Sequence, residues 1–104
     1  MINGKKFYLG VRYGNNKWDA VNVTWPFGLL YIQNDLLIIK CNFLFFRKEF
    51  ILNRSNIISF YEHNGIISRG IIIHHNCVSV PVFIMIFSHH RKEIILFLKT
   101  WLLV

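Results

Sequence analysis

Residues 27–41 read FGLLYIQ, then ND, then LLIIKC, and they carry the clearest structural signal in the chain. Two runs rich in apolar and β-branched residues flank Asn34-Asp35, a dipeptide that favours a two-residue hairpin turn. Runs of this length and composition are typical of β-strands. The stretch therefore predicts an antiparallel β-hairpin.

Similar segments lie on both sides of this hairpin, each bounded by residues that favour turns. Trp25-Pro26 predicts a strand boundary, because proline lacks a backbone N–H donor and biases its predecessor toward extended geometry. Before it, residues 1–19 predict an N-terminal strand/turn segment in which residues 7–13 pair as an edge strand. The strands predicted after the hairpin are 44–52, 57–63, 70–75 and 81–87, with an Asn64-Gly65 turn between the second and third.

The periodicity changes at Ser88, which favours the N-cap of a helix. Apolar residues then recur at intervals that place them on one helical face: Ile94, Ile95, Leu98, Trp101 and Leu102. The pattern predicts a helix over about residues 89–102 that covers an open end of the sheet. We therefore expect one domain over residues 1–104, mainly β with one C-terminal helix (α+β) and six or seven antiparallel strands.

The composition restricts the classes of function. Apolar residues make up 54% of the chain, above the roughly 45–50% of a typical soluble domain, so part of the excess is expected to face a partner. Twelve Lys and Arg against five Asp and Glu give a net charge of +7, which favours anionic partners. No apolar run reaches the about 20 residues of a membrane-spanning helix. Two cysteines without a secretion signal predict free thiols in a cytoplasmic protein.

Several segments of the sequence resemble those of a known protein family. They are NVTWPFGLL at 22–30 with LLI at 36–38, NIIS at 56–59 and GIIIH at 70–74, followed by the final helix. Over residues 20–104 this combination resembles small bacterial pleckstrin-homology-like (PH-like) proteins. The resemblance implies a split β-barrel plugged by the C-terminal helix, and a binding or assembly module that catalyses no reaction.

The same resemblance bears on lipid recognition. Phosphoinositide-binding members carry basic residues around the first hairpin loop, whereas Asn34-Asp35 offers an acid and no base. An alternative strand count that starts at Phe7 places Lys17 in that loop.

Two apolar stretches predict a contact surface. Residues 82–87 have no polar alternate, so either both faces of this strand are covered or one face awaits another chain. Residues 43–46 add a second apolar stretch. The leading prediction is protein–protein interaction or homo-oligomer formation through exposed apolar strands, with these interface candidates: Phe43, Phe45, Phe83, Met85 and Phe87.

A second hypothesis places an anion at the start of the helix. Basic side chains there add to the positive potential of the free N–H groups, and a phosphate, lipid headgroup or partner carboxylate would relieve it. The expected partner is then an anionic ligand or a membrane surface. The anion-binding candidates, including bases elsewhere in the chain, are His89, His90, Arg91, Lys92, Arg47, Lys48 and Arg69.

Other chemistries leave weaker signals. His74, His75 and Cys77, with His89 and His90 after the next strand, could ligate a transition metal. Because adjacent strand residues point to opposite faces, such a site would use Cys77 and one histidine from each pair. This site is an alternative; the main prediction includes no metal and no other cofactor. Residues 43–48 interleave aromatics with bases as single-stranded nucleic-acid platforms do, yet the rings are needed in the core, and nucleic acid is not the expected partner. No serine lies in a nucleophile-elbow context and the five acids form no evident pair, so no enzyme activity is predicted.

Overall fold

The computed structural model describes residues 5–43, 45–64 and 69–103. Within these ranges the chain forms seven strands and one α-helix, which confirms the predicted mainly-β α+β fold with a C-terminal helix. The strands are β1 (Lys6–Gly14), β2 (Ala20–Gln33), β3 (Leu36–Phe43), β4 (Phe46–Asn53), β5 (Ile57–Asn64), β6 (Arg69–His75) and β7 (Phe83–Phe87), and helix α1 spans Arg91–Leu103. A 3₁₀ turn at Arg54–Asn56 links β4 to β5. Leu44 and Gly65, which belong to a predicted strand and a predicted turn, lie outside the described residues.

The seven described strands form one antiparallel sheet in the order β4-β3-β2-β1-β7-β6-β5. Strand β1 lies at the centre, paired with β2 on one side and with β7 on the other. The prediction that residues 7–13 form an edge strand is therefore wrong. The alternating burial of Phe7, Leu9 and Val11 looks the same in an edge and in a central strand, and pairing with the distant β7 decides between them. The edges are β4 and β5, and the described part of the chain has no ladder between them, so the sheet is not closed.

The predicted hairpin turn is confirmed. Gln33 pairs with Leu36, which leaves Asn34-Asp35 as the two-residue turn. Asn34 has φ 56°, a left-handed conformation that asparagine adopts more easily than most residues. The backbone N–H of Arg54 donates to the Asp35 carbonyl at 2.8 Å, so the 3₁₀ turn is joined to the hairpin.

The predicted strand boundary at Trp25-Pro26 is wrong, because β2 continues through both residues. The peptide bond between them is cis. The register between β1 and β2 shifts beside Gly10, and residues 24–27 have no partners on β1, so proline displaces no hydrogen bond to that strand. Regular pairing resumes at Gly28, where an added Cβ would lie 2.6 Å from the Leu9 carbonyl oxygen.

Helix α1 packs against β5 and β6. The Trp101 indole N–H donates to the Asn34 carbonyl at 3.0 Å, which ties the helix to the β2–β3 turn. The helix begins two residues later than predicted, because the Ser88 hydroxyl accepts from the His90 N–H at 3.0 Å and residues 89–90 form a turn. With 13 residues, α1 is too short to cross a bilayer, and no longer helix occurs in the described ranges. The buried helical residues agree with the predicted face: Ile94, Ile95, Leu98 and Trp101.

Candidate functional site

An exposed aromatic cluster lies where β3 turns into β4. Phe43 and Phe46 are cross-strand partners, and Phe45 in the turn is 102% exposed. Phe27 of β2 packs edge-on against Phe43, with their ring centroids 4.6 Å apart. We call Phe27, Phe43, Phe45 and Phe46 the aromatic tip.

The aromatic tip extends beyond the hydrophobic core. Cys41 on β3 and Phe50 on β4 belong to the buried core cluster, whereas the residues nearer the turn do not. The exposed fraction rises from 3% at Phe50 to 40% at Phe46 and 46% at Phe43. The β3–β4 hairpin thus extends past the hydrophobic core, and the phenylalanine rings at its end are exposed to solvent.

Basic side chains border the aromatic tip. Arg47 and Lys48 follow Phe46 on β4, both are exposed, and neither forms an ion pair with another described residue. Lys40 on β3 lies 3.5 Å from the Glu49 carboxylate. Hydrogen bonding to Tyr31, followed by the charge of Glu49, raises the pKa of Lys40 above its usual 10.5, so Lys40 is charged at neutral pH. A depression of about 670 Å³ lies here, and it is lined by Lys40, Asn42, Phe43, Arg47, Lys48 and Glu49.

The structure thereby brings together candidates that the sequence suggested for different roles. Phe43 and Phe45 were predicted interface residues, and Arg47 and Lys48 were predicted anion ligands. Phe27 was not predicted, because its contact with Phe43 depends on the irregular register of β2 and has no local signal.

The other interface candidates lie together on β7. Ile84 and Ile86 face the core, while Phe83, Met85 and Phe87 lie on the outer face of the sheet. Phe83 and Phe87 are half-buried and Met85 is only 4% exposed, so the outer face of this strand leaves part of its ring surface open to solvent. With Ile72 of β6, these three side chains form the floor of a groove of about 1000 Å³, which we call the outer groove.

Part of the positive charge at the helix start is compensated locally. The Arg91 guanidinium lies 3.6 Å from the Glu62 carboxylate. Glu93, in the first turn of α1, accepts from the Lys5 ammonium at 2.9 Å and lies 4.0 Å from the His90 ring. Lys5 lowers the pKa of Glu93 below its ordinary value of 4.5. The Glu93 carboxylate therefore already offsets the positive potential of the helix N-terminus at neutral pH, so a bound anion is not needed to relieve it.

The remaining anion candidates are dispersed. His89, His90 and Lys92 are exposed around a depression of about 450 Å³ at the helix start. Arg69 is the first residue of β6 and pairs in the ladder with Asn64. These side chains do not join Arg47 and Lys48 in one site.

The histidine and cysteine candidates do not form a common site. His75 Nε2 lies 2.8 Å from the Pro81 carbonyl oxygen, and its Nδ1 accepts from the Cys77 N–H at 3.0 Å. This pattern assigns the proton to Nε2 and occupies both ring nitrogens. His74 lies on the opposite face of β6 and lines the outer groove. Within the described ranges, no three His, Cys, Asp or Glu residues are arranged to hold a metal ion.

Comparison of the chain with protein-family models, with characterised proteins and with solved structures gives no match.

Proposed function

We propose that this chain is a non-enzymatic module that docks on an anionic membrane surface through the aromatic tip. The observation that carries the proposal is the fully exposed Phe45, set among three partly exposed phenylalanines and beside Arg47 and Lys48, which form no ion pair with another described residue. Aromatic side chains enter the headgroup region of a bilayer, and each basic residue near an anionic surface contributes about 1 kcal/mol. The net charge of +7 acts in the same direction.

The charge distribution favours a membrane over a second copy of the chain. A symmetric contact between two tips would bring Arg47 and Lys48 of both copies together, and like charges in contact oppose association. Phe45 is also fully exposed at the end of the hairpin, which suits insertion into a deformable lipid surface. Self-association is the second candidate, and the exposed ring surface of Phe45 is the observation in its favour.

Two further features support this proposal. The resemblance of the sequence to PH-like proteins implies a binding module. Cys41 and Cys77 are both free thiols, which supports a cytoplasmic location where thiols stay reduced. The cytoplasmic leaflet is also the one enriched in anionic lipids.

Co-sedimentation with vesicles tests the proposal. The protein should bind phosphatidylcholine vesicles that contain phosphatidylserine, bind pure phosphatidylcholine much less, and dissociate as salt is added. Phe45→Ser should weaken binding by about tenfold or more, because burying a phenylalanine contributes roughly 1.5–3 kcal/mol. The double variant Arg47→Gln/Lys48→Gln should lose most of the preference for phosphatidylserine. Leu96→Ser and Lys99→Gln, which change exposed residues of α1, are the matched controls and should bind as the parent does.

Equal binding of the parent and the Phe45→Ser variant would refute a role for the tip. Light scattering of the same proteins measures their molar mass in solution, and this distinguishes self-association from membrane docking. A salt-resistant oligomer that Phe45→Ser converts to a monomer would assign the tip to contacts between copies. A monomer in both proteins would exclude that alternative.

A further inference from the structure

The outer groove lies on the face of the sheet opposite to the core. A row of cross-strand partners crosses five strands from β5 to β2, in the order Tyr61, Ile72, Met85, Arg12 and Asn22. Alternation along β7 adds Phe83 and Phe87 to the same face. The solvent side of an antiparallel sheet is ordinarily polar, whereas the centre of this one is apolar.

A glycine shapes the floor of the groove. A Cβ on Gly70 of β6 would lie 2.9 Å from the Met85 side chain and 3.2 Å from the Phe87 ring. Because Gly70 has no side chain, the side chains of Met85 and Phe87 can pack closely against the backbone of β6. This arrangement explains how Met85 is 4% exposed on an outer face.

One wall of the groove is formed by residues 15–18 of the β1–β2 loop, and this loop holds a guanidinium in place. Nε and Nη2 of Arg12 both donate to the Lys17 carbonyl, and the Asn16 side chain accepts from the Trp18 N–H at 2.8 Å. The Lys17 ammonium lies 5.0 Å from the centre of the Trp18 ring, and the indole is 83% exposed. Arg12 of β1 and Lys17 of the loop thus place two cations beside an aromatic ring at the edge of an apolar floor, while the Asp19 carboxylate of the same loop accepts from the Asn15 side-chain amide at 2.9 Å.

The groove is positive as well as apolar. Its opposite wall consists of Tyr61, His63 and His74, and among the described residues no carboxylate lines it. Glu62 is the neighbour of Tyr61 in sequence, but it pairs with Arg91 outside the groove.

The backbone of the floor restricts the kind of ligand. Strands β6 and β7 are interior strands with partners on both sides, so an extended peptide cannot add to them as a further strand. The floor offers apolar side chains, and hydrocarbon matches them because it requires no hydrogen bonds. The polar contacts are confined to the rim, where Arg12 has five N–H donors and uses two of them on described residues.

We propose that the outer groove binds a free fatty acid. The hydrocarbon chain lies along Ile72, Phe83, Met85 and Phe87, and the carboxylate accepts hydrogen bonds from Arg12 at the loop, with Lys17 beside it. The volume of about 1000 Å³ is at the upper end of the roughly 300–1,000 Å³ of small-molecule sites. Charge-assisted hydrogen bonds from a guanidinium to a carboxylate fix the orientation of the ligand.

Titration with a dansyl-labelled undecanoic acid, at concentrations below micelle formation, tests this site without any membrane. Dansyl emission should rise saturably, and oleate should displace the probe whereas the uncharged methyl oleate should not. Arg12→Gln and Lys17→Gln should each weaken probe binding by about threefold to a hundredfold, since hydrogen bonds and charges at a carboxylate are lost. Lys17 is exposed in a loop, so its substitution provides a variant that folds.

Two control variants separate this site from the aromatic tip. Lys48→Gln removes the same charge at a distance from the groove, and Phe45→Ser removes the centre of the tip; both should bind the probe as the parent does. An emission change that does not saturate, equal displacement by methyl oleate, or full affinity in the Arg12→Gln and Lys17→Gln variants would overturn the assignment. The fatty-acid site does not depend on membrane docking, so the same probe results are expected even if the protein does not bind vesicles.

Discussion

At the residue scale, the two cysteines show how position alters the chemistry of one side chain. Cys41 is completely buried in the core, and this burial raises the pKa of its thiol to about 11. Cys77 is half-buried in the β6–β7 connection, with its Sγ 3.3 Å from the Ser79 hydroxyl. Because the thiolate is the reactive form, Cys41 should react slowly in the folded protein, whereas the half-buried Cys77 is open to a reagent.

We expect iodoacetamide to alkylate Cys77 in the native protein and to reach Cys41 only after a denaturant is added. Mass spectrometry of peptides from timed samples measures both sites. The Cys77→Ser variant is the control and should take up no label under native conditions. Similar labelling rates at the two cysteines of the native parent would show that the core around β3 is open.

At the scale of the element, α1 contains two leucines that separate packing from helix propensity. Leu98 faces the sheet and is 0% exposed, whereas Leu96 is 69% exposed on the other side of the same helix. Replacing either by alanine changes the local propensity equally, so the difference between the variants reports burial.

Leu98→Ala should lower the free energy of unfolding by about 2–5 kcal/mol, because the substitution removes buried methyl groups and leaves a cavity. Leu96→Ala should change it by less than about 0.5 kcal/mol. Urea denaturation of both variants provides the comparison. Equal losses would mean that α1 is not docked on β5 and β6 through this face.

At the scale of the whole molecule, the ion pair between Lys5 and Glu93 joins positions 88 residues apart. It connects the segment before β1 to the first turn of α1. Lys5 lowers the pKa of Glu93 below its ordinary 4.5. The unfolded chain therefore binds the proton more readily than the folded chain, and this stabilisation is present above pH 4.5 and is lost as pH falls through the lower folded value.

Glu93→Gln should accordingly lower the melting temperature slightly at neutral pH, since an exposed ion pair contributes little. The difference from the parent should shrink as pH falls below about 4.5, where the parent carboxylate also becomes neutral. Thermal melts over a pH series measure this convergence. Lys99→Gln, whose ammonium forms no ion pair with another described residue, serves as the control and should show no such dependence. A difference that grows toward acid pH would contradict the lowered pKa of Glu93.

The local features of this protein can be predicted from its amino-acid sequence. Turn chemistry predicted the hairpin at Asn34-Asp35, and the interval between apolar residues predicted the buried face of α1, because both depend on neighbours along the chain. The same locality explains why Phe43, Phe45, Arg47 and Lys48 were candidate site residues: they lie within one hairpin end.

Only the tertiary structure decided which distant segments meet. The central place of β1 depends on its pairing with β7, about 70 residues further along the chain, and a pattern of alternating burial carries no information about the partner strand. The outer groove arises in the same way, because Arg12, Ile72 and Met85 become neighbours only through that register. Glu93 and Phe27 acquired their roles through contacts with Lys5 and Phe43, which neither periodicity nor turn chemistry encodes.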